Sequence, residues 1–121
     1  MREFESVINT LVIEVEGLYA AAVGGLDGLL IEGFSRYSAV DIEGAVAEHA
    51  GLLQSARDSY AKIMNAPELR EWLAVTASLT GYMVPVSEEY FLLCIGGPDV
   101  NLGQLRLKAK RAAVEIGGVI A

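Results

Sequence analysis

The spacing of the apolar residues changes several times along the 121-residue chain, and no other feature constrains its fold so strongly. Residues 2–16, residues 42–65 and the segment after residue 101 carry apolar side chains at helical spacing. Short apolar segments typical of strands separate them: 18–23 and 29–34, then 70–77, 82–87 and 90–96. The predicted order is αββαβββα, an α/β sandwich in which residues 1–121 form a single domain.

The connections between the predicted strands indicate how the strands pair. Residues 24–28 have the sequence Gly-Gly-Leu-Asp-Gly, and Asp-Gly between apolar segments is a strong hairpin signal. Residues 78–81 and then Glu88-Glu89 form the next two turns, which predicts a meander of the last three strands. The first two strands are nearly all apolar, so both of their faces are expected to be covered.

The charge and the cysteine content exclude several classes of partner and location. Nine Lys and Arg stand against 16 Asp and Glu, a net charge of −7, which argues against nucleic acid or anionic lipid as a partner. The single cysteine, Cys94, permits no disulfide within the chain. Residues 72–87, the longest uncharged stretch, fall short of the roughly 20 residues of a membrane-spanning helix. Glu3 and Glu5 do not fit a secretory signal, so we expect a cytoplasmic protein without membrane insertion.

The residues that usually carry catalysis are scarce. His49 is the single histidine, so metal sites built from His/Cys clusters are excluded by ligand count. His49 lies on the apolar face of the second helix and Cys94 in a central strand, where both are expected to pack. Residues 24–28 lack the Lys-Ser/Thr of a phosphate-binding loop and precede a strand. We therefore predict a protein that is not an enzyme, with no catalytic residues, no metal and no cofactor.

A stripe of small residues on the second helix predicts a close contact with another helix. The stripe is formed by Gly44, Ala47, Gly51 and Ser55. Each glycine inside a helix costs about 1 kcal/mol relative to alanine, and close approach of a second helix would offset that cost. A mean hydropathy of +0.40 also suggests surface that a partner subunit covers.

Three local motifs occur in the order found in one known family. Residues 99–106, Asp-Val-Asn-Leu-Gly-Gln-Leu-Arg, open the last helix after an apolar strand. Asp27-Gly28-Leu29 in the first hairpin and the strand from Gly81-Tyr82 to Pro85 complete the set. Together they resemble the Roadblock/dynein-light-chain family, in particular its prokaryotic branch of MglB-type GTPase regulators.

This resemblance implies both a topology and a function. It implies a five-stranded antiparallel sheet in the order 2-1-5-4-3, with the long second helix on one face and the terminal helices on the other. It also implies a homodimer, formed by pairing the third strands and packing the second helices. Members of the family are non-catalytic adaptors and regulators of small Ras-like GTPases.

In that strand order the third strand is an edge, and its apolar residues would aggregate unless covered. We therefore predict a dimer interface made of the small stripe together with Trp72, Leu73 and Val75. The exposed second-helix residues Glu48, Gln54, Arg57 and Asp58 are predicted to face the GTPase. Two alternatives remain open: a dimeric scaffold for a membrane or cytoskeletal complex without effect on GTP hydrolysis, and a small-molecule sensor.

Overall fold

The computed structural model describes residues 2–120 and contains three helices and five strands. In chain order they are α1 (Arg2–Glu14), β1 (Leu18–Gly25), β2 (Leu30–Ser35), α2 (Ile42–Lys62), β3 (Trp72–Val75), β4 (Thr80–Pro85), β5 (Tyr90–Gly96) and α3 (Leu102–Ile120). The strands form one sheet in the order β2-β1-β5-β4-β3, and all neighbours are antiparallel. The element order and the strand order inferred from the resemblance are both confirmed.

A separate hydrophobic core fills each side of the sheet, because successive residues of a strand point to opposite faces. On one side α1 and α3 bury Phe4, Ile8 and Leu105 against the sheet. On the other side α2 buries Val46 and Leu53. The central strands β1 and β5 are therefore apolar on both faces, whereas β2 is a half-exposed edge, which corrects the prediction that both of its faces are covered.

Side-chain caps determine where two of the helices begin. The Asp41 carboxylate accepts the Gly44 N–H at 2.9 Å and so caps α2. The cap of α3 is Asn101, since its Oδ1 accepts the Gln104 N–H at 3.0 Å.

Several predicted boundaries are wrong by a few residues. β3 covers residues 72–75 instead of 70–77, because the Thr76 side chain bonds within the turn: its Oγ1 accepts the Leu79 N–H at 2.9 Å. β4 consequently covers 80–85 instead of 82–87. α1 ends at Glu14 before Gly17, whose φ is +83°, and α2 ends at Lys62 before Asn65, whose φ is 53°. Positive φ values of this kind are incompatible with a continuing helix.

Four of the apolar residues that give the segment 42–65 its helical spacing are not buried. Leu52, Tyr60, Ile63 and Met64 are exposed. The reason is the position of α2, which packs on β1 and β2, so that the side of the helix toward β4 is left uncovered. Within residues 2–120, no helix is long and apolar enough to cross a membrane.

Candidate interaction surface

The outer face of α2 carries the stripe of small residues, and that stripe is open. Ala47, Gly51 and Ser55 are exposed, and a side chain added at Gly51 would meet no atom within 4 Å. Gly44 is half-buried, and a Cβ there would collide with the capping carboxylate of Asp41. The stripe therefore makes no helix contact inside the chain, and its predicted role in a dimer depends on a second molecule.

A second stripe of α2 faces the uncovered half of the sheet. This stripe consists of residues spaced by four, seven and eleven positions, which places them on one side of the helix. They are Asp41, Ala45, Leu52 and Ile63. His49 lies close to this side, with its Nδ1 2.7 Å from the carbonyl oxygen of Ala45. Its Nε2 is 3.4 Å from the position that a Cβ of Gly81 on β4 would take. The half-buried His49 thus lies between α2 and β4.

The predicted interface residues of β3 are divided between the two faces of the strand. Trp72 is half-buried against the core under α2, and its Nε1 has no hydrogen-bond partner in the described part of the chain. Leu73 and Val75 point to the opposite face and are exposed. Beyond β3 the described residues contribute no further strand, so the outer edge of β3 is free to pair.

A charged cluster holds the beginning of β3 against α3. The Tyr82 hydroxyl donates to Glu71 Oε1 at 2.6 Å, and the Arg106 guanidinium binds both carboxylate oxygens of Glu71. Lys110 Nζ lies 3.6 Å from the same carboxylate. The hydrogen bonds from Arg106 and then from Tyr82 lower the pKa of Glu71 to about 2. Burial, and then the hydrogen bond to Glu71, raise the pKa of Tyr82.

The sequence does not reveal this cluster, because basic residues on a helix are usually solvated. In the structure Arg106 and Lys110 bind Glu71, and Lys108 binds Glu14 at 3.1 Å. The sequence separation of Glu71 and Arg106 is 35 residues, so no local pattern could have paired them.

The four residues predicted to face a partner differ in their surroundings. Glu48 and Asp58 are exposed on α2, and Arg57 is half-buried. Arg57 and Asp58 line a shallow cavity together with Glu88 of the β4–β5 turn. Gln54 already has a partner in the chain: its amide donates to the carbonyl of Leu26 at 2.7 Å and holds the β1–β2 turn.

Arg36 has a structural contact that the sequence did not reveal. Its guanidinium donates to the carbonyl oxygens of Val12 and Ile13, at 3.0 and 3.1 Å. These carbonyls belong to the last turn of α1, which contains no basic residue of its own. Arg36 therefore satisfies and neutralises the C-terminal end of α1.

An apolar pocket of about 540 Å³ lies between the N-terminal end of α2 and the β3–β4 turn. Its walls are Tyr19, Tyr37, Ala39, Val40, Asp41, Ala45, Leu79 and Ile95. The rings of Tyr19 and Tyr37 meet edge to face at 5.2 Å. The pocket has the volume of a typical ligand or anchor site.

Chemically reactive groups are few in the described structure. Cys94 is fully buried, and burial raises the pKa of its thiol to about 12, so the thiolate is not accessible. Over residues 2–120, no group of three or more His, Cys, Asp or Glu side chains could hold a metal ion. What the described surface offers is apolar and charged side chains for contact.

A scan against protein-family models finds no match, and a search of curated protein sequences finds none. Solved structures do match. MglB from Myxococcus xanthus is 21% identical with a TM-score of 0.86, over 98% of this chain and 94% of that one. A Roadblock/LC7 domain from Streptomyces avermitilis is 14% identical with a TM-score of 0.88, over 96% of each chain. A structure described as MglB with a tetrameric arrangement is 16% identical with a TM-score of 0.88, over 98% and 88%. The resemblance seen in the sequence is thus confirmed in three dimensions: the chain has the Roadblock/LC7 fold, the fold of MglB.

Proposed function

We propose that this protein is a homodimer that binds a small Ras-like GTPase and regulates it without supplying catalytic residues. The observation that carries the proposal is the match to MglB over nearly the whole of both chains. The family that the sequence resembles consists of non-catalytic adaptors and regulators of such GTPases. The exposed and largely uncharged stripes of α2 support the same conclusion, because they offer surface for partners but no reactive groups.

The dimer part of the proposal rests on three open surfaces. These are the free edge of β3, the small stripe of α2 and the stripe of α2 that contains Leu52. Antiparallel pairing of two β3 edges would join the two sheets and bring the two α2 helices side by side above them. An obligate interface of this kind buries roughly 2,000 Å² or more in total.

The GTPase would bind the polar side of α2 that carries Arg57 and Asp58, at the rim of a shallow cavity. Glu48 is also exposed, one helical turn before Leu52 and next to the stripe assigned to the dimer. Charges at such a rim steer the encounter and select the partner. Gln54 contributes indirectly, since it holds the β1–β2 turn against this side of the helix.

The structure leads to a test of how the GTPase would be regulated. Arg36 is tied to the last carbonyls of α1, so it is not available for insertion into a nucleotide site. Regulation would instead require the dimer to bind the reactive GTPase conformation more tightly than the resting one. We expect Arg36→Ala to bind the cognate GTPase and change its GTP turnover as the wild-type protein does. The lost helix cap should lower the free energy of unfolding by about 1 kcal/mol.

The measurement is single-turnover GTP hydrolysis with the cognate GTPase, at saturating concentrations of wild-type or Arg36→Ala protein. Arg36→Lys serves as a control, because it keeps a cation near the end of α1. An inserted arginine contributes about 10³–10⁵ in rate. A loss of that size in Arg36→Ala, with binding retained, would make Arg36 a catalytic residue supplied to the GTPase. A wild-type protein that binds but leaves turnover unchanged would favour the scaffold alternative.

A further inference from the structure

The C-terminal end of α2 presents apolar side chains that nothing in the described chain covers. Ile63 is 82% exposed and Met64 is 59% exposed. Both follow the last turn of the helix, and the Ile63 N–H still donates to the carbonyl of Ser59 at 3.0 Å. Ile63 is therefore held by helical backbone, and the Met64 N–H donates to the same carbonyl at 3.3 Å, which closes the end of the helix.

The opposite end of the same helix carries the open apolar pocket. Asp41 and Ala45 form its α2 wall, and Val40 precedes the cap. Ile63 lies on the same side of α2 as these two residues, because eleven residues, about three helical turns, separate it from Leu52 and likewise separate Leu52 from Asp41. One side of α2 thus has an apolar projection at one end and an apolar cavity at the other.

An antiparallel pair of α2 helices would bring these two features together. Leu52 is the middle residue of Ile42–Lys62, so a two-fold axis beside Leu52 aligns Ile63 with Asp41 and Met64 with Val40. From the middle to each end, α2 measures about 16 Å. At a shallow crossing angle of about 20° the ends separate by only about 6 Å, which the side chains can span.

The charges along α2 favour the same alignment. Lys62 lies in the last turn, while Asp41 and Glu43 lie at the first. Antiparallel pairing places the lysine of one helix near the carboxylates of the other. It also places the positive end of each helix dipole beside the negative end of the other, which is favourable. Parallel pairing would bring like charges together at each end.

We infer that Ile63 and Met64 of each chain fill the pocket between α2 and the β3–β4 turn of a second copy, so that each dimer contains two identical anchors. The inference rests on the proposed homodimer and goes beyond it by naming the contact that fixes the alignment of the two α2 helices. Apolar anchors seated in pockets carry a large share of the affinity of such interfaces.

Cysteine cross-linking tests the anchor and the dimer separately. Ala39→Cys/Ile63→Cys should form a covalent dimer under mild oxidation, because residues 39 and 63 lie at opposite ends of α2 within one chain and meet only between chains. Leu52→Cys should form a symmetric bridge at the two-fold axis. The native Cys94 is buried and should not compete. The control is Ala39→Cys/Val114→Cys, which places the second thiol on the exposed side of α3.

A bridge between residues 39 and 63, absent in the control, supports the anchor. A bridge at residue 52 without one between 39 and 63 overturns the anchor and leaves the dimer intact. If neither variant cross-links and the wild-type protein has the mass of one 12.9 kDa chain, both the anchor and the proposed homodimer are wrong.

Ile63→Ser gives an independent measure that does not depend on thiol chemistry. Because Ile63 is exposed within the chain, the variant should fold normally, with an unchanged circular dichroism spectrum. Its dimer dissociation constant should rise at least about tenfold, since each dimer loses two anchors. Val114→Ser, an exposed aliphatic residue of α3, should leave the constant unchanged. An unchanged constant in Ile63→Ser would overturn the inference.

Discussion

Leu52→Glu is expected to convert the protein from a dimer into a folded monomer. Leu52 is 45% exposed in the chain and lies at the middle of α2. A two-fold axis beside it would bring the new carboxylates of the two chains together inside a buried interface. Like charges opposed in this way cost several kcal/mol, so the dimer dissociation constant should rise by about 10³. Sedimentation equilibrium should show two 12.9 kDa chains associated in the wild-type protein and one in the variant.

Leu107→Glu provides the matched control for this substitution. Leu107 is an exposed leucine of α3, at a similar exposure of 51%. The same change in size and charge on the opposite face of the sheet should leave the protein dimeric. Circular dichroism should show native helix and strand content in both variants. Retention of the wild-type dissociation constant by Leu52→Glu would show that the two α2 helices do not meet along this side.

Glu71→Gln is expected to lower the free energy of unfolding by about 1–2 kcal/mol at neutral pH. The pKa of Glu71 falls from 4.5 to about 2 in the folded chain, chiefly because Arg106 and Tyr82 donate hydrogen bonds to its carboxylate. Partial exposure to water makes the contribution smaller than this pKa difference alone would give. The loss should appear mainly as loosening of β3, whose first residue follows Glu71 directly.

The effect of Glu71→Gln should depend on pH with a definite sign. A group whose folded pKa is depressed stabilises the protein above its unfolded pKa and loses that contribution as the pH falls toward the folded value. The difference between wild-type and variant in urea unfolding should therefore be full above about pH 5 and shrink progressively toward pH 2. Glu68→Gln is the control, because Glu68 is exposed and its one ion pair in the described chain, with the exposed Arg70, is long at 4.0 Å. A difference that persists unchanged at pH 2 would contradict this assignment.

The fold was largely predictable from the sequence because its determinants are local. Changes in apolar spacing mark each element, Asp27-Gly28 marks the first hairpin and Asp41 caps α2 through a contact three residues away. The predicted strand boundaries were less accurate. The Thr76 side chain accepts a hydrogen bond within the turn and so ends β3, and the spacing of apolar residues does not show this. The strand order came from the family resemblance, because spacing alone does not determine which strands are neighbours.

The surface was less predictable, for a physical reason. Helical spacing identifies Leu52, Ile63 and Met64 as apolar positions, but it does not show whether the surface that covers them lies in the same chain. Here α2 packs on β1 and β2 through its other side, and these residues are exposed. The contacts of Arg36 with α1 and of Gln54 with Leu26 connect distant segments, so they could be identified only from the fold.

The most direct test of the proposed function is calorimetric titration of the wild-type dimer with the small Ras-like GTPases encoded in the same genome. Each GTPase should be loaded in turn with GDP and with a non-hydrolysable GTP analogue. The proposal predicts that one of them binds, with the GTP-analogue form favoured by about tenfold or more. An intact dimer that binds none of these GTPases in either nucleotide state would contradict the proposal.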